Sequence, residues 1–400
     1  MKLRKINFKN HPILKDLQVS LEDEKGEIVN TVIFIGDNGS GKTSILRGIL
    51  ENFQSSKVEK FLKGTDLDSL ELSFGKELLK TIPDNALSEY SVIYWGIKNS
   101  VFAIDESDQD ATSIGKIVFM PTEINFSMAT AIDTRKEIPD QFINIIDQKI
   151  ANDISSFVAT AIETEVFKNE DVAVKESMKK VCDEINSIFQ CMDLEIELVG
   201  LSKDEKKQPI FKNHNNDTFA IEDLSSGEKQ LFIRALSLKF LNINDSIILI
   251  DEPEISLHPQ WQRKIISVYE SIGRNNQLII ATHSPHVIGN IRKEQLRVLH
   301  RDHNGIQIVP TEEVERTYGQ TIESILTHNM GLESVRNEEL QFKIEQIQKL
   351  LRNENALENK EFQELLIDIS EHLDDSDVEM ALINAQIKRM KMRGTRNVEQ

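Results

Sequence analysis

The stretch "TVIFIGDNGSGKT", Thr31 to Thr43, is the most informative segment of the chain. Its first five residues form a continuous apolar run, as a strand buried on both faces of a sheet requires. The next eight, Gly36 to Thr43, match the spacing G-x-x-x-x-G-K-[ST], and a helical apolar pattern starts at Thr43. Such glycines let backbone N–H groups turn inward around an anion at the positive end of a helix. The sequence therefore predicts a phosphate-binding loop between a buried strand and a helix.

Two side chains of this loop have separate predicted tasks. Lys42 is expected to reach the β- and γ-phosphates of ATP, and the Thr43 hydroxyl to ligate Mg²⁺. The cofactors implied are therefore ATP and Mg²⁺. The predicted nucleotide-binding residues of this segment are Gly36, Asp37, Asn38, Gly39, Ser40, Gly41, Lys42, Thr43 and Ser44.

A second buried strand carries the acidic groups in "IILIDEPE", Ile247 to Glu254. Asp251 at its tip is placed to hold Mg²⁺ through a water beside the phosphates, and Glu252 can polarise the attacking water as a general base. Glu123, which follows the apolar run "KIVFM", is a further candidate metal ligand. An exposed loop acid is the alternative interpretation of Glu123.

A third buried strand ends in "IIATHSP", which contains His283. A histidine after a strand is more often a capping or core residue than a catalytic one. Because this strand is predicted beside the Asp251 strand, we expect the imidazole near the γ-phosphate, where its ring nitrogens bond phosphate or the attacking water. Glu252 and His283 are thus the predicted catalytic residues.

The coarse pattern of the chain predicts an α/β fold with a mixed central sheet. Short alternating runs over residues 1–35 and 64–120 indicate an N-terminal antiparallel subdomain. From Met128 to about Met192 the apolar period becomes helical, with one long face starting at Phe142, Ile145 and Ile146. A hairpin and an amphipathic helix, Glu228 to Leu241, follow. The predicted divisions are an ATPase lobe at 1–127, an inserted helical subdomain and hairpin at 128–223, a second lobe at 224–310 and a helical C-terminal appendage at 311–400.

Composition narrows the class of protein. The 400 residues carry a net charge of -19 and 39% hydrophobic residues, which is typical of a globular domain and argues against a surface that is basic all round. No apolar run approaches the ~20 residues of a membrane span, so a cytoplasmic location is expected. The two cysteines, Cys182 and Cys191, exclude a disulfide framework. The basic stretch Ile387 to Arg396 is either a solubilising tail or an arm for a partner or nucleic acid.

The order of these motifs resembles that of the ABC-type ATPases. "LSSGEKQ", Leu224 to Gln230, would alone be an ordinary turn, but it stands where that family has its LSGGQ-like signature, about 20 residues before the Asp251 strand. The resemblance implies that two such chains pair head to tail, each signature closing over ATP in the loop of the other. Ser225 and Gly227 would then contact the partner's γ-phosphate. The signature residues implied to bind nucleotide are Leu224, Ser225, Ser226, Gly227, Glu228 and Lys229.

Within that family the chain resembles the RecF/SMC/OLD-like branch. His258 stands where transporters have an aspartate, and Glu254 replaces their usual threonine. Thr317 to Leu326 and the N-terminal sheet are similar to the Septu (PtuA-like) and retron-associated anti-phage ATPases. Only 182 positions separate Thr43 from Ser225, too few for the arms of SMC proteins. Asp375-Ser376-Asp377 follows a helical pattern, so no nuclease centre of the OLD type is expected.

The leading hypothesis is an ATP-hydrolysing subunit of an anti-phage defence complex. The resemblance implies a homo-oligomer such as a hexamer built from head-to-tail dimers, controlling a nuclease on a separate chain such as an HNH protein, with DNA or a phage component as possible further partners. A RecF-like repair ATPase that binds DNA directly is the same-class alternative. A transporter nucleotide-binding subunit, against which His258 counts, and a non-hydrolysing ATP-binding scaffold are the others.

Overall fold

The computed structural model describes residues 2–55, 66–73, 91–94, 115–124, 143–168, 172–204, 207–303, 305–332, 334–353 and 356–398. The predicted strand at residues 100–104 and the start of the predicted helical face, up to Phe142, lie outside these ranges. The chain forms two compact units, Met1–Ile325 and Leu326–Gln400. The sequence instead predicted the last division at residue 310. Every helix in the described part of the chain is too short or too polar to cross a membrane.

The strands and helices of the described residues are numbered along the chain. The strands are β1 (Lys2–Lys9), β2 (Gln18–Ser20), β3 (Thr31–Gly36), β4 (Asp66–Ser73), β5 (Ser91–Tyr94), β6 (Ile117–Met120), β7 (Ile143–Ile145), β8 (Ile196–Leu201), β9 (Pro209–Asn213), β10 (Thr218–Ala220), β11 (Ile247–Asp251), β12 (Gln277–Ala281), β13 (Leu296–Asp302) and β14 (Gly305–Ile308). The helices are α1 (Lys42–Ser55), α2 (Gln148–Lys168), α3 (Val174–Ile188), α4 (Ser226–Phe240), α5 (Pro259–Gln262), α6 (Ile265–Ser271), α7 (Pro285–Ile288), α8 (Ile322–Ser324), α9 (Glu338–Leu350), α10 (Lys360–Ser370) and α11 (Val378–Val398).

The central sheet of the first unit has seven strands in the order β14-β13-β3-β12-β11-β6-β7. All neighbours pair in parallel except β13 and β14, which form an antiparallel hairpin. Every residue of β3, β11 and β12 is buried, as their apolar runs predict. Asp251 lies opposite Ala281, and Ala281 opposite Phe34. The carboxyl ends of β3, β11 and β12 therefore meet at one edge of the sheet.

An antiparallel sheet, β2-β1-β4-β5, accompanies the central one, and β8, β9 and β10 form a third. Side chains of β1, of α1 and of the central strands share a single hydrophobic core, in which Leu3, Ile6, Ile45, Ile49 and Phe34 are fully buried. The predicted α/β class with an N-terminal antiparallel subdomain is confirmed. This core fixes the start of α1 against the ends of the central strands.

The helical face predicted to begin at Phe142 is wrong at Ile145 and Ile146, the first of its members that the structure describes. Ile143–Ile145 is β7, which extends the central sheet by pairing with β6. The Asp147 carboxylate accepts a hydrogen bond from the Ile150 N–H (2.9 Å), as expected of a residue that starts a helix, and α2 begins at Gln148. The β-branched residues Ile143 and Ile145 thus belong to a strand, and the helix starts only after the aspartate.

Helix α4 is also less amphipathic than its pattern suggested. Residues 231–238 are all buried, so this helix lies inside the first unit rather than on its surface. The Phe232 ring contacts those of Phe189 and Phe211, with centroids 4.5 and 4.7 Å away. In the second unit, α9, α10 and α11 pack around Ile347, Phe362, Ile369, Met380 and Ile383.

Candidate nucleotide-binding site

The glycine-rich loop leaves β3 and enters α1 at Lys42, one residue before the predicted start of the helix at Thr43. Gly36 has a φ of +145°, and a Cβ there would lie 2.2 Å from the Leu299 carbonyl oxygen of β13. Only glycine fits both the backbone angle and the close approach of that strand. The neighbouring strand thereby fixes where the loop begins.

Lys42 is buried at the base of the loop, with only 4% of its surface exposed. Its ammonium group donates hydrogen bonds to the carbonyl oxygens of Gly36 (2.8 Å) and Asp37 (2.9 Å) and to the Ser40 hydroxyl (3.3 Å). Burial lowers the pKa of Lys42 to about 8, although nearby carboxylates, Glu252 first, raise it. The loop therefore holds one positive charge in place for an anion.

Two hydroxyl groups converge on Asp251, which is 2% exposed. Thr43 Oγ1 donates to Asp251 Oδ1 (3.0 Å) and Thr122 Oγ1 donates to Asp251 Oδ2 (2.8 Å). Mg²⁺ prefers such oxygen ligands and keeps several waters, so these side chains fit the predicted ion. Among the described residues there is no group of three or more His, Cys, Asp or Glu side chains that could hold a metal by themselves. Waters and phosphate oxygens would have to complete the coordination.

Glu123, the third predicted metal ligand, is exposed three residues after the end of β6. The residue of this segment that contacts Asp251 is its neighbour Thr122. Sequence reasoning missed Thr122, whose only signal is its place after a strand adjacent to β11.

Glu252 and His283, the predicted catalytic pair, face each other across the sheet edge. Glu252 Oε1 lies 3.7 Å from His283 Nε2, and the Glu252 N–H donates to the Ala281 carbonyl (2.8 Å). Burial raises the pKa of Glu252, and the Asp251 carboxylate raises it further. Burial also lowers the pKa of His283, with Lys42 contributing in the same direction. A carboxylate with a raised pKa is a better proton acceptor, as a general base requires.

A cavity of about 490 Å³ opens over the loop. Gly39, Gly41, Lys42, Thr43, Ser44 and His283 form its base, and two further segments form its walls: Pro12, Ile13 and Lys15 before β2, and Arg301, Asp302, His303, Gly305 and Ile306 of the β13–β14 hairpin. Arg301 Nη1 donates to the Gly39 carbonyl (3.2 Å). A cavity of this size can take a small-molecule ligand such as a nucleotide. Sequence reasoning found neither wall, because no motif marks them.

The predicted signature residues begin α4. Ser225 caps the helix: its hydroxyl accepts from the Glu228 N–H (3.3 Å), and Glu228 Oε2 accepts from the Ser225 N–H (2.8 Å). Gly227 packs so closely that a Cβ would lie 2.6 Å from the Ser256 carbonyl oxygen. Sequence reasoning missed this local role, although Ser-x-x-Glu is a capping spacing.

The signature and the glycine-rich loop are separate within one chain. None of Leu224 to Lys229 lines the cavity. Nor, in the described residues, does a hydrogen bond or an ion pair join the signature to Gly36–Ser44. Ser225 and Ser226 are exposed. The structure therefore brings Lys42, Thr43, Asp251, Glu252 and His283 together and leaves the signature apart from them.

Several known proteins are similar to this chain. Residues 105–289 match the family model described as "AAA domain, putative AbiEii toxin, Type IV TA system". Septu protein PtuA of Bacillus thuringiensis is 26% identical over 343 residues, covering 81% of this chain and 84% of that protein. Septu protein PtuA of Bacillus mycoides (strain KBAB4) is 22% identical over 337 residues, covering 81% of this chain and 44% of that protein. An SMC head solved with the C-winged helix domain of ScpA has a TM-score of 0.46 and 14% identity, covering 77% of this chain and 98% of that one.

The fold and the site together are those of an α/β P-loop NTPase, and residues 105–289 resemble the AAA-domain family. The chain is similar to Septu protein PtuA over most of its length. It also resembles the Retron Vc95 probable ATPase of Vibrio cholerae, with 33% identity over 96 residues, which is 21% of this chain and 19% of that protein.

Proposed function

We propose that this chain is the Mg²⁺-dependent ATPase subunit of a bacterial anti-phage defence complex and controls a nuclease carried by a separate chain. The observation that carries the ATPase proposal is the convergence of Lys42, Asp251 and Glu252 at one sheet edge beneath a cavity of about 490 Å³. The likeness to Septu protein PtuA supports the defence role.

Each side chain at this edge has a distinct task in ATP hydrolysis. Lys42 binds the β- and γ-phosphates. Thr43 and Asp251 would hold a Mg²⁺ ion, which would offset the phosphate charge. Glu252 accepts the proton of the attacking water. His283 donates a hydrogen bond to the γ-phosphate and so keeps that group facing Glu252. Glu123 would be an outer ligand of the same ion.

The signature acts on the nucleotide of a second copy. Ser225 and Gly227 close over the γ-phosphate held by the partner, and Leu224, Ser226, Glu228 and Lys229 form the rest of that contact. The exposure of Ser225 and Ser226 and their separation from the loop of their own chain support this arrangement. Because only the nucleotide has phosphates to bridge the two halves, ATP occupancy switches the oligomer.

The effector proposed is a nuclease such as an HNH protein, acting on DNA when the oligomer, such as a hexamer, receives a phage-derived signal. The strongly acidic composition, with a net charge of -19, makes direct DNA binding by this chain the weaker alternative. A RecF-like function would require ATP-dependent, salt-sensitive DNA binding by the isolated protein. Co-purification with the product of the adjacent gene distinguishes the two.

The direct test of the ATPase proposal is phosphate release by the purified protein in Mg²⁺ and in EDTA, with Lys42→Ala as the control. We expect Mg²⁺-dependent turnover that Lys42→Ala lacks. Equal release by both proteins would contradict the ATPase proposal. Degradation of DNA by the purified chain alone would contradict the separate nuclease.

A further inference from the structure

Glu254 is a buried carboxylate, 8% exposed, to which the hydrolysis mechanism above assigns no task. One of its oxygens, Oε1, accepts hydrogen bonds from three consecutive residues: the Thr282 hydroxyl, the His283 N–H (3.0 Å) and the Ser284 N–H (3.1 Å). The other oxygen, Oε2, is buried without a hydrogen-bond partner in the described residues. All hydrogen bonding of this carboxylate is thus directed at the turn that carries His283.

Burial of a carboxylate is unfavourable unless several donors compensate for the lost water. Three donors on a single oxygen provide that compensation only while the Thr282–Ser284 backbone keeps its shape. Ser284 is also fixed from the far side, since its hydroxyl donates to Gln262 Oε1 (2.6 Å) and accepts from the Val287 N–H (3.3 Å) at the start of α7. The turn is therefore anchored on both sides of His283.

The orientation of His283 depends on this turn. Its ring nitrogen Nε2 lies 3.7 Å from Glu252 Oε1. Glu252 has a φ of +46°, an uncommon angle for a side-chain-bearing residue, and lies only two positions before Glu254. The segment Glu252–Glu254 thus carries both the Glu252 side chain and the carboxylate to which the His283 backbone is bonded.

We propose that Glu254 is a positioning residue for ATP hydrolysis, which holds the Thr282–Ser284 turn so that the His283 ring faces Glu252 and the γ-phosphate. This inference rests on the proposed ATPase function. Glu254 then affects hydrolysis only through His283, and the glycine-rich loop binds the nucleotide.

The test compares two substitutions of nearly equal size, Glu254→Gln and Glu254→Met. The glutamine oxygen can accept the same three hydrogen bonds, and its NH₂ group takes the place of Oε2, which accepts none. Methionine fills the space but offers no oxygen. We expect Glu254→Met to lower kcat about 10- to 100-fold with an unchanged ATP Kd, and Glu254→Gln to retain most of the wild-type kcat, because a misplaced catalytic group has an effect of that order.

A double-mutant cycle with His283→Ala separates positioning from a general structural effect. If Glu254 acts through His283, Glu254→Met has little further effect on kcat once His283 is alanine. Additive losses, an equal loss in Glu254→Gln, or a Glu254→Met protein with wild-type kcat would each overturn the proposal. Wild-type protein that binds ATP but releases no phosphate would instead contradict the proposed ATPase function.

Discussion

The two glycine-containing segments that begin a helix, Gly36–Thr43 before α1 and Leu224–Gly227 before α4, differ in what completes them. In the first, Lys42 and Thr43 are bonded to groups of the same chain, and a cavity lies above. In the second, Ser225 bonds mainly to Glu228 of its own helix and is exposed. Both offer the positive end of a helix dipole. One site is assembled within the chain, whereas the other, in the part of the chain that the structure describes, lies outside the cavity, as the proposed contact with a second copy requires.

Substitutions in the two segments should have the strongest effect on ATP hydrolysis. Lys42→Ala removes the only buried cation of the loop, so we expect ATP binding to be lost. Ser225→Arg blocks the signature, so we expect ATP binding by the monomer but no turnover. Mixing the two inactive proteins should restore part of the phosphate release, since one composite site per heterodimer then has both halves intact. Mixtures that stay inactive at every ratio would contradict the proposal that each signature closes over the nucleotide of a second copy.

A second effect, on hydrolysis alone, is expected from Glu252→Gln. The amide keeps the size of the side chain but cannot accept the proton of the attacking water, so kcat should fall about 10²- to 10⁴-fold. ATP binding should remain, and the closed oligomer should accumulate in size-exclusion chromatography with ATP and Mg²⁺. Wild-type turnover in this variant would remove Glu252 from its proposed role.

Gly36 and Gly227 should differ in how much a substitution by alanine lowers the free energy of unfolding. Ala at position 36 would place its Cβ 2.2 Å from the Leu299 oxygen at a positive φ, whereas at position 227 the Cβ meets the Ser256 oxygen at 2.6 Å without that strain. Clashes of this kind cost about 1–3 kcal/mol. We expect Gly36→Ala to lower the free energy of unfolding, measured in urea, more than Gly227→Ala. Gly319→Ala, with a positive φ and open space, is the control; the reverse order would contradict the packing described.

Sequence patterns predicted the parts of the site that lie at the ends of apolar strands. Lys42 and His283 follow β3 and β12, and Asp251 is the last residue of β11. Because these strands are parallel neighbours, their carboxyl ends lie together at one edge of the sheet. Patterns could not reveal Thr122, because its contact with Asp251 depends on β6 being the next strand beside β11. For β7 the apolar period was compatible with both helix and strand, and pairing with β6 decided the outcome.

A weaker effect, on the ATP Kd, is expected from Arg301, which lies in the wall of the cavity. Arg301 belongs to the β13–β14 hairpin, lines the cavity and donates a hydrogen bond to the Gly39 carbonyl. This contact is possible because β13 pairs with β3, the strand that precedes the glycine-rich loop. Because the side chain is exposed, its attraction to phosphate is screened and worth about 0.2–1 kcal/mol. We therefore expect Arg301→Ala to raise the ATP Kd about two- to fivefold. Arg274→Ala, at an exposed arginine outside the cavity, should not change the Kd; equal effects of both would show only a loss of overall charge.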